Sequence, residues 1–390
     1  MRFLECVDLN PKITITKGQI YPFVEMANVN TCYRSPDNVD EKPFDSGVKF
    51  QDGDTVIARI SPCLQNGKSF YCQNIGTGFG STEYLVFRPK DDSVDSMYLY
   101  YFMMTDFIKL SMINSMTGAT GRQRVNNDVF NDIEVCFPNI DIQRKIGEIL
   151  SAYDNLIENN QKQIKLLEEA AQRLYKEWFV DLHFPGYEDV KIVAGVPEGW
   201  KYKRVDEFGE VITGKTPSTS KSEYYGGSIP FVTIPDMHGK VFPLVTEKTL
   251  TKTGADTQKN KYLPINSVIV SCIATVGLVN IAVEPCQTNQ QINSVILYDD
   301  SNLYFFYESM KRIKTLLDGV GSNGATMTNV NKTKFSNISV LYPTEDLVKR
   351  YNAFCKPIFN KILGLSKGIL VSKQARDRLL PKLMSGEIEV

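Results

Sequence analysis

The sequence predicts an α/β (α+β) protein built twice, each half a β-rich domain followed by a long helix, with the two helices paired as an antiparallel coiled coil. Three observations carry this. Short segments recur in one order at nearly one spacing, the mark of an internal repeat. Two stretches of about 37 residues carry apolar side chains three or four apart, a helical seam. The remaining sequence is rich in short β-branched runs bounded by Gly, Asn or Pro.

The repeat is read directly. Tyr21-Pro22-Phe23-Val24 recurs as Ile229-Pro230-Phe231-Val232, and Asp54-Thr55-Val56-Ile57 as Asn266-Ser267-Val268-Ile269, at offsets of 208 and 212. Gly118-Ala119-Thr120 recurs as Gly324-Ala325-Thr326. The segment Val125-Asn126, Phe130, Asp132-Ile133, Val135 and Pro138 matches Val330-Asn331, Phe335, Asn337-Ile338, Val340 and Pro343 at a constant offset of 205, which still holds at Arg173-Leu174 against Arg378-Leu379. The boundaries that follow are 1–138 for a first domain, 139–190 for a first helix and linker, 191–343 for a second domain and 344–390 for a second helix and tail.

The first seam runs through Ile142, Ile146, Ile149, Tyr153, Leu156, Asn160, Ile164, Leu167, Ala171, Leu174 and Trp178. The second runs through Leu347, Tyr351, Phe354, Ile358, Ile362, Leu365, Ile369, Leu379 and Leu383, with a break expected at Pro357. Neither stripe is stable alone in water, so the helices are expected to pair, with the domains related by an approximate twofold axis. Strands are expected at Val56–Ile60, Leu85–Phe87, Ile133–Phe137, Val268–Cys272 and Val279–Val283, and helices at Tyr98–Met112 and Tyr304–Leu317. Lys191 to Trp200, with Gly195, Pro197 and Gly199, reads as the linker into the second domain. Residues Tyr262 to Val283 carry no charge, but Pro264, Asn266, Gly277 and Asn280 make them two strands around a turn rather than a membrane helix.

With 390 residues, 42% hydrophobic and 23% charged, the chain has enough apolar sequence for several cores. A net charge of −1 does not by itself nominate a nucleic acid. The eight cysteines (Cys6, Cys32, Cys63, Cys72, Cys136, Cys272, Cys286, Cys355) are scattered, with no C-x-x-C pair, which argues against both a disulfide framework and a zinc site and fits a reducing cytoplasm. No signal peptide or membrane span is expected.

No catalytic constellation emerges. His183 and His238 are the two histidines, and neither has a nucleophile or metal-ligand neighbour at a useful spacing. Gly76-Thr77-Gly78-Phe79-Gly80 reads as a glycine turn beside a strand, and no Walker motif is present. Pro36-Asp37 with Asp40-Glu41-Lys42 has the letters of a nuclease metal site but falls in one polar stretch, so its carboxylates are read as a solvated loop. What remains is a set of polar loops. Thr117 to Arg124 combines flexible backbone with Thr120, Arg122, Gln123 and Arg124, and Arg and Gln are the side chains that pair bidentately with guanine and adenine edges. Its counterpart, Ser322 to Asn329, carries Asn323 and Thr326 but no arginine; Asn66, Lys68, Lys215, Thr216 and Gln290 complete the expected DNA-binding set.

Val196-Pro197-Glu198-Gly199-Trp200, Gly214-Lys215-Thr216-Pro217, Pro138 with Gln143-Arg144-Lys145-Ile146, and Arg378 to Ile388, in that architecture, resemble the specificity subunits of type I restriction-modification systems over essentially the whole length. The first half lacks the Pro-x-Gly-Trp opening and starts near Leu9-Asn10-Pro11-Lys12, so the beginning of the first domain is expected to differ from that of the second. The resemblance implies two target recognition domains, each reading half of a split DNA site, and helices that set the spacing and hold two methyltransferase subunits. It implies no catalytic or metal site in this chain: S-adenosylmethionine belongs to the methyltransferase partners, and ATP and Mg to a restriction subunit if one joins. Two other classes remain at this stage. A fused or divergent methyltransferase or nuclease would need an unrecognised active site, and a pure coiled-coil scaffold leaves the β-rich domains and their Arg, Gln and Asn loops unexplained.

Overall fold

The computed structural model describes every residue apart from 32, 120 and 319–328. The chain forms two compact units, one of Met1–Gln161 with Gly368–Val390 and one of Lys162–Lys367.

In the first unit an antiparallel sheet has the order Val7–Leu9, Tyr84–Pro89, Thr55–Ala58, Ser69–Tyr71. Its inner strand Thr55–Ala58 is buried throughout, Thr55 included, because both sheet faces are covered. Alternation still decides what each side chain meets. Ile57, Leu85 and Phe87 join Phe3, Leu99, Met103 and Phe130 under the helices Ser96–Met103 and Asp106–Asn114. Val56, Phe70, Tyr84 and Val86 face the other way, onto Val24 and Phe50 of a second sheet. That sheet has the order Asp40–Pro43, Ile20–Val24, Gly78–Gly80, Val48–Phe50, with Ile20–Val24 and Gly78–Gly80 parallel. Gly78-Phe79-Gly80 is thus a buried strand and not a turn, and a Cβ at Gly78 would lie 2.7 Å from the Pro22 carbonyl oxygen.

The second unit repeats the first. Its sheet has the order Gly209–Thr213, Ile292–Leu297, Val268–Ser271, Val279–Ile281, and a companion sheet again includes a parallel pair, Tyr225–Val232 with Gln287–Thr288. The charge-free stretch folds as expected, Ile269 pairing with Asn280 around Gly277 at φ +94°. Each expected helix is instead two: Ser96–Met103 and Asp106–Asn114, then Leu303–Lys311 and Ile313–Asp318. Residues 133–137 form one bridge, Arg2 to Glu134, rather than a strand. The expected linker holds a hairpin, Ile192–Val193 with Val196–Pro197.

The first unit also enters its fold as the second does, against expectation. The bridge between Arg2 and Glu134 takes the place of the strand pair Lys201–Arg204 with Ser339–Tyr342. A single helical turn follows in both, closed by the Arg2 N–H donating to Glu5 Oε2 (2.9 Å) and the Arg204 N–H donating to Glu207 Oε2 (2.7 Å). The Pro-x-Gly-Trp segment is an addition upstream of a shared beginning.

Two long helices, Ile140–Phe179 and Glu345–Ser385, each contribute to both units. In the first unit they run antiparallel: Leu383 clusters with Ile146 and Leu150, Arg376 bonds Asp154, and Gly368 lies against Asn160. In the second unit the Tyr351 hydroxyl donates to the Ala171 carbonyl (3.1 Å), and Trp178 meets Phe354 edge-on at 5.8 Å. The buried stripe of the first helix is Gln143, Leu150, Ile157, Ile164, Ala171 and Trp178, spaced seven apart, with Ile146, Asp154 and Tyr175 beside it. The expected seam is therefore corrected at two places. Leu156 is 48% exposed while Ile157 is buried, and Phe354 is 58% exposed while Cys355 is buried. Ile164, Trp178, Leu347 and Ile362 are buried as placed, and Ile142, Ile149, Leu167, Leu174, Ile369 and Leu379 are half-buried. Nor does Pro357 break the second helix, which continues to Ser385. The interior proline costs about 3 kcal/mol, and the flanking Tyr351, Cys355, Phe359 and Ile362 are all buried, which offsets it.

One buried carboxylate makes the second unit sensitive to pH. Glu308 is buried with an Oε1 that meets Lys311 Nζ at 3.7 Å, and burial pushes its pKa up to about 7, opposed by Lys311 and reinforced by Glu168. A carboxyl with a raised native pKa binds more protons folded than unfolded, so stability falls as pH climbs from the unfolded value of 4.5 through about 7 and then levels. Glu308→Gln is expected to leave stability unchanged near pH 4.5 and to raise it at pH 8 by roughly 3 kcal/mol at most, at 1.36 kcal/mol per pKa unit. Tryptophan-monitored urea unfolding at both pH values checks it, and a variant equally shifted at both would contradict the assignment.

Candidate nucleic-acid interface

The same backbone ladder gathers polar loops at one end of the two inner strands of the sheet in each unit. In the first, the Val125 N–H donates to the Arg59 carbonyl (2.9 Å) and the Arg59 N–H to the Glu83 carbonyl (2.8 Å). In the second, the Val330 N–H donates to the Cys272 carbonyl (2.8 Å) and the Cys272 N–H to the Gln291 carbonyl (2.9 Å). The bridges Ile60 to Arg124 and Ile273 to Asn329 extend the correspondence. Local sequence explains it: Val125 and Val330 are buried anchors, and Asn126 and Asn331 accept from the backbone N–H groups of Asp128 and Lys334, capping the turns that follow.

On this frame the segment from Thr117 to Arg124 is a closed loop, Thr117 and Arg124 exchanging backbone hydrogen bonds of 2.9 Å each, with the Ser61 N–H donating to the Gln123 carbonyl. Arg122 is exposed and Gln123 half-buried. Arg124 turns back onto Glu83 in a bidentate pair, Nη2 to Oε1 at 2.6 Å and Nε to Oε2 at 2.9 Å. That guanidinium holds the Glu83 carboxyl below the usual carboxylate range. Asn66 and Lys68 are not joined to this loop by any hydrogen bond among the described residues. Asn66 lines a cavity of about 290 Å³ with Tyr100, Tyr101, Asp154 and Arg376, and Lys68 Nζ donates to the Met26 carbonyl (2.6 Å).

In the second unit Thr216 and Gln290 meet, the hydroxyl donating to the amide oxygen at 2.7 Å, beside an exposed Lys215. Two buried glutamines fix this corner: Gln258 Nε2 donates to the Lys215 carbonyl (2.6 Å) and to Gln287 Oε1 (2.7 Å), and Gln287 Nε2 donates to the Ala255 carbonyl (2.9 Å). Gly214 is required here, since a Cβ would lie 2.2 Å from the Asn289 carbonyl oxygen. Thr120, Asn323 and Thr326 lie outside the described residues. Sequence reasoning missed Glu83 and Gln258, and counted Gln287 among the polar loops where the structure buries it. Glu83 immediately precedes the strand Tyr84–Pro89 and Gln258 lies between two helical turns, and only the fold shows what they hold.

Among the described residues no group of three or more His, Cys, Asp or Glu side chains is placed to hold a metal, and no helix is long and apolar enough to cross a membrane. His183 pairs with Glu177 at 3.0 Å.

Residues 9–169 and 197–354 match the type I restriction modification DNA specificity domain family. The chain is 30% identical to the HindI specificity subunit of Haemophilus influenzae, the match covering 90% of each. It is 27% identical to the MjaIX specificity subunit of Methanocaldococcus jannaschii over 77% of this chain and 71% of that one. Its fold resembles the crystal structure of the type I restriction-modification S subunit from M. genitalium, with a TM-score of 0.60 at 14% identity, covering 98% of this chain and 95% of that one. Two matched domains on two topologically repeated units leave one conclusion: the chain belongs to the family of type I restriction-modification DNA specificity subunits.

Proposed function

We propose that each unit reads one half of a bipartite double-stranded DNA target, and that the chain positions two DNA methyltransferase subunits on it without a catalytic centre of its own. The observation carrying this reading is the repeated ladder whose loop side chains differ, Arg124 and Glu83 in one unit against Asn329 and Gln291 in the other. One frame with two sets of base-facing groups suits two different half-sites. The contacting set comprises Arg122, Gln123 and Arg124 with Thr120, Asn66 and Lys68 in the first half, and Lys215, Thr216, Gln290, Asn323 and Thr326 in the second. S-adenosylmethionine sits in the methyltransferase partners; ATP and Mg enter with a restriction subunit where one joins. The near-zero net charge fits a complex in which partners supply part of the phosphate neutralisation. The setting is the cytoplasm.

The test is reconstitution with co-expressed type I DNA methyltransferase subunits. Methylation mapping is expected to return a split target with a non-specific spacer, and native mass measurement two methyltransferase chains per copy of this one. A single continuous target, one methyltransferase chain at saturation, or methylation by this chain alone would each overturn the reading.

A further inference from the structure

The two arginines of the Thr117 to Arg124 loop are held differently, and this separates their roles. Arg124 spends Nε and one hydrogen of Nη2 on the two oxygens of Glu83. Its backbone is pinned on both sides, to Thr117 by paired hydrogen bonds and to Ile60 by a bridge. The guanidinium is therefore fixed in plane and direction, and among the described residues Nη1 has no partner. What it presents outward is its terminal edge, Nη1–H beside the second Nη2–H, two parallel donors. Arg122 has no ion pair among the described residues and is exposed.

From this we infer that Arg124 is the guanine-reading residue of the first half-site, with Glu83 as its positioning residue, while Arg122 serves phosphate. The inference rests on the reading of the first unit as a DNA-recognition unit. Two parallel N–H donors match guanine N7 and O6 in the major groove, and no other base offers two acceptors there. A side chain as long as arginine loses several rotatable bonds of freedom on binding, and a carboxylate that fixes it beforehand removes that cost from recognition. Glu83 also sets specificity by exclusion. It places a negative charge beside the loop that disfavours any register bringing a phosphate to Arg124, so the arginine is reserved for a base edge. In the second unit the equivalent positions are Gln291 and Asn329, and the Gln291 Oε1 accepts from Asn289 Nδ2, so no ion pair is built there. The buttressed guanine contact belongs to the first half-site.

The experiment uses the assembled complex of this chain with its methyltransferase subunits and competition binding against duplexes carrying every single base-pair change in the mapped target. Arg124→Ala is expected to lose about 5- to 150-fold discrimination at one G·C pair of the first half-site. Glu83→Gln, whose amide offers one acceptor oxygen in place of two, is expected to lose about tenfold at that same pair, with unchanged or tighter binding to non-target DNA. Replacing that guanine by 7-deazaguanine removes the N7 acceptor, and should weaken the wild type while leaving Arg124→Ala unaffected. Arg122→Ala should weaken all duplexes alike and lower the salt slope by about one. Retained discrimination at the second half-site shows that each variant is folded. If the wild type discriminates a split target but Arg124→Ala and Glu83→Gln keep full discrimination in the first half, or lose it at different pairs, the inference fails and the bipartite reading stands. If the wild type itself shows no split target, the bipartite reading fails first.

Discussion

Asp154→Ala is expected to destabilise the first unit by about 1–3 kcal/mol, the cost of leaving buried hydrogen-bonding groups short of an acceptor. Asp154 is fully buried in the helix seam, bonded to Arg376, and its Oδ2 accepts from the Tyr101 hydroxyl at 2.5 Å. Removing it takes the acceptor from a phenol whose ring lies in the core and one of two carboxylates from Arg376, which keeps Asp377 (Nη2 to Oδ1, 2.8 Å). The double variant Asp154→Leu with Arg376→Met takes away both charges at similar volume and is expected to recover most of the loss. Both tryptophans, Trp178 and Trp200, lie in the second unit. Far-UV circular dichroism in urea should therefore show an earlier transition in Asp154→Ala while the tryptophan transition stays in place. A double variant as unstable as the single one would show that the pair contributes more than its own desolvation costs.

Inserting seven residues into each long helix, after Gln161 and after Lys367, is expected to lengthen the preferred DNA spacer by about three base pairs with both half-sites unchanged. Both insertions fall where the helices pass from one unit to the other. Seven residues add about 10.5 Å at 1.5 Å per residue, close to three steps of 3.4 Å along B-DNA. The number seven matters because the buried stripe from Gln143 to Trp178 repeats at that interval, so the seam keeps its face. A four-residue insertion after Leu167 alone lengthens one helix against an unchanged partner. Methylated-site mapping on the seven-residue variant decides the matter: altered half-sites with the original spacer would show that the helices do not measure the target.

The architecture was legible because the strongest repeat in the sequence is also the structural closure of each unit. Val125-Asn126 and Val330-Asn331 match because both valines are buried and both asparagines cap the next turn. The phase of the helix seam was not legible. Gln143 lies in the buried stripe and Asp154 beside it, and a reading based on apolar residues steps around them, taking Leu156 in place of Ile157. Polar groups enter a seam when partners satisfy them, and Tyr101, Arg376 and the carbonyl of Ser93, which accepts from Gln143 Nε2, are remote in sequence. The loops fared similarly. Residue types placed Arg124 in the recognition set, while the carboxylate that orients it sits 41 residues earlier and becomes visible only when the ladder closes.

The division of the chain into a continuous unit and one assembled from two stretches sets an order on biosynthesis. Residues 162–367 leave the ribosome as an uninterrupted block and have every element of their unit as soon as Lys367 appears. The other unit must wait. Its domain emerges first, yet Tyr98, Tyr101, Ile146 and Leu150 lack Leu383 and its neighbours, and Asp154 lacks Arg376, until some two hundred further residues have been translated. The nascent domain then carries an open apolar flank with a lone carboxylate at its centre, a surface suited to transient chaperone cover. A frameshift or stop codon shortly after Lys367 would spare the later-made unit and disable the one synthesised first.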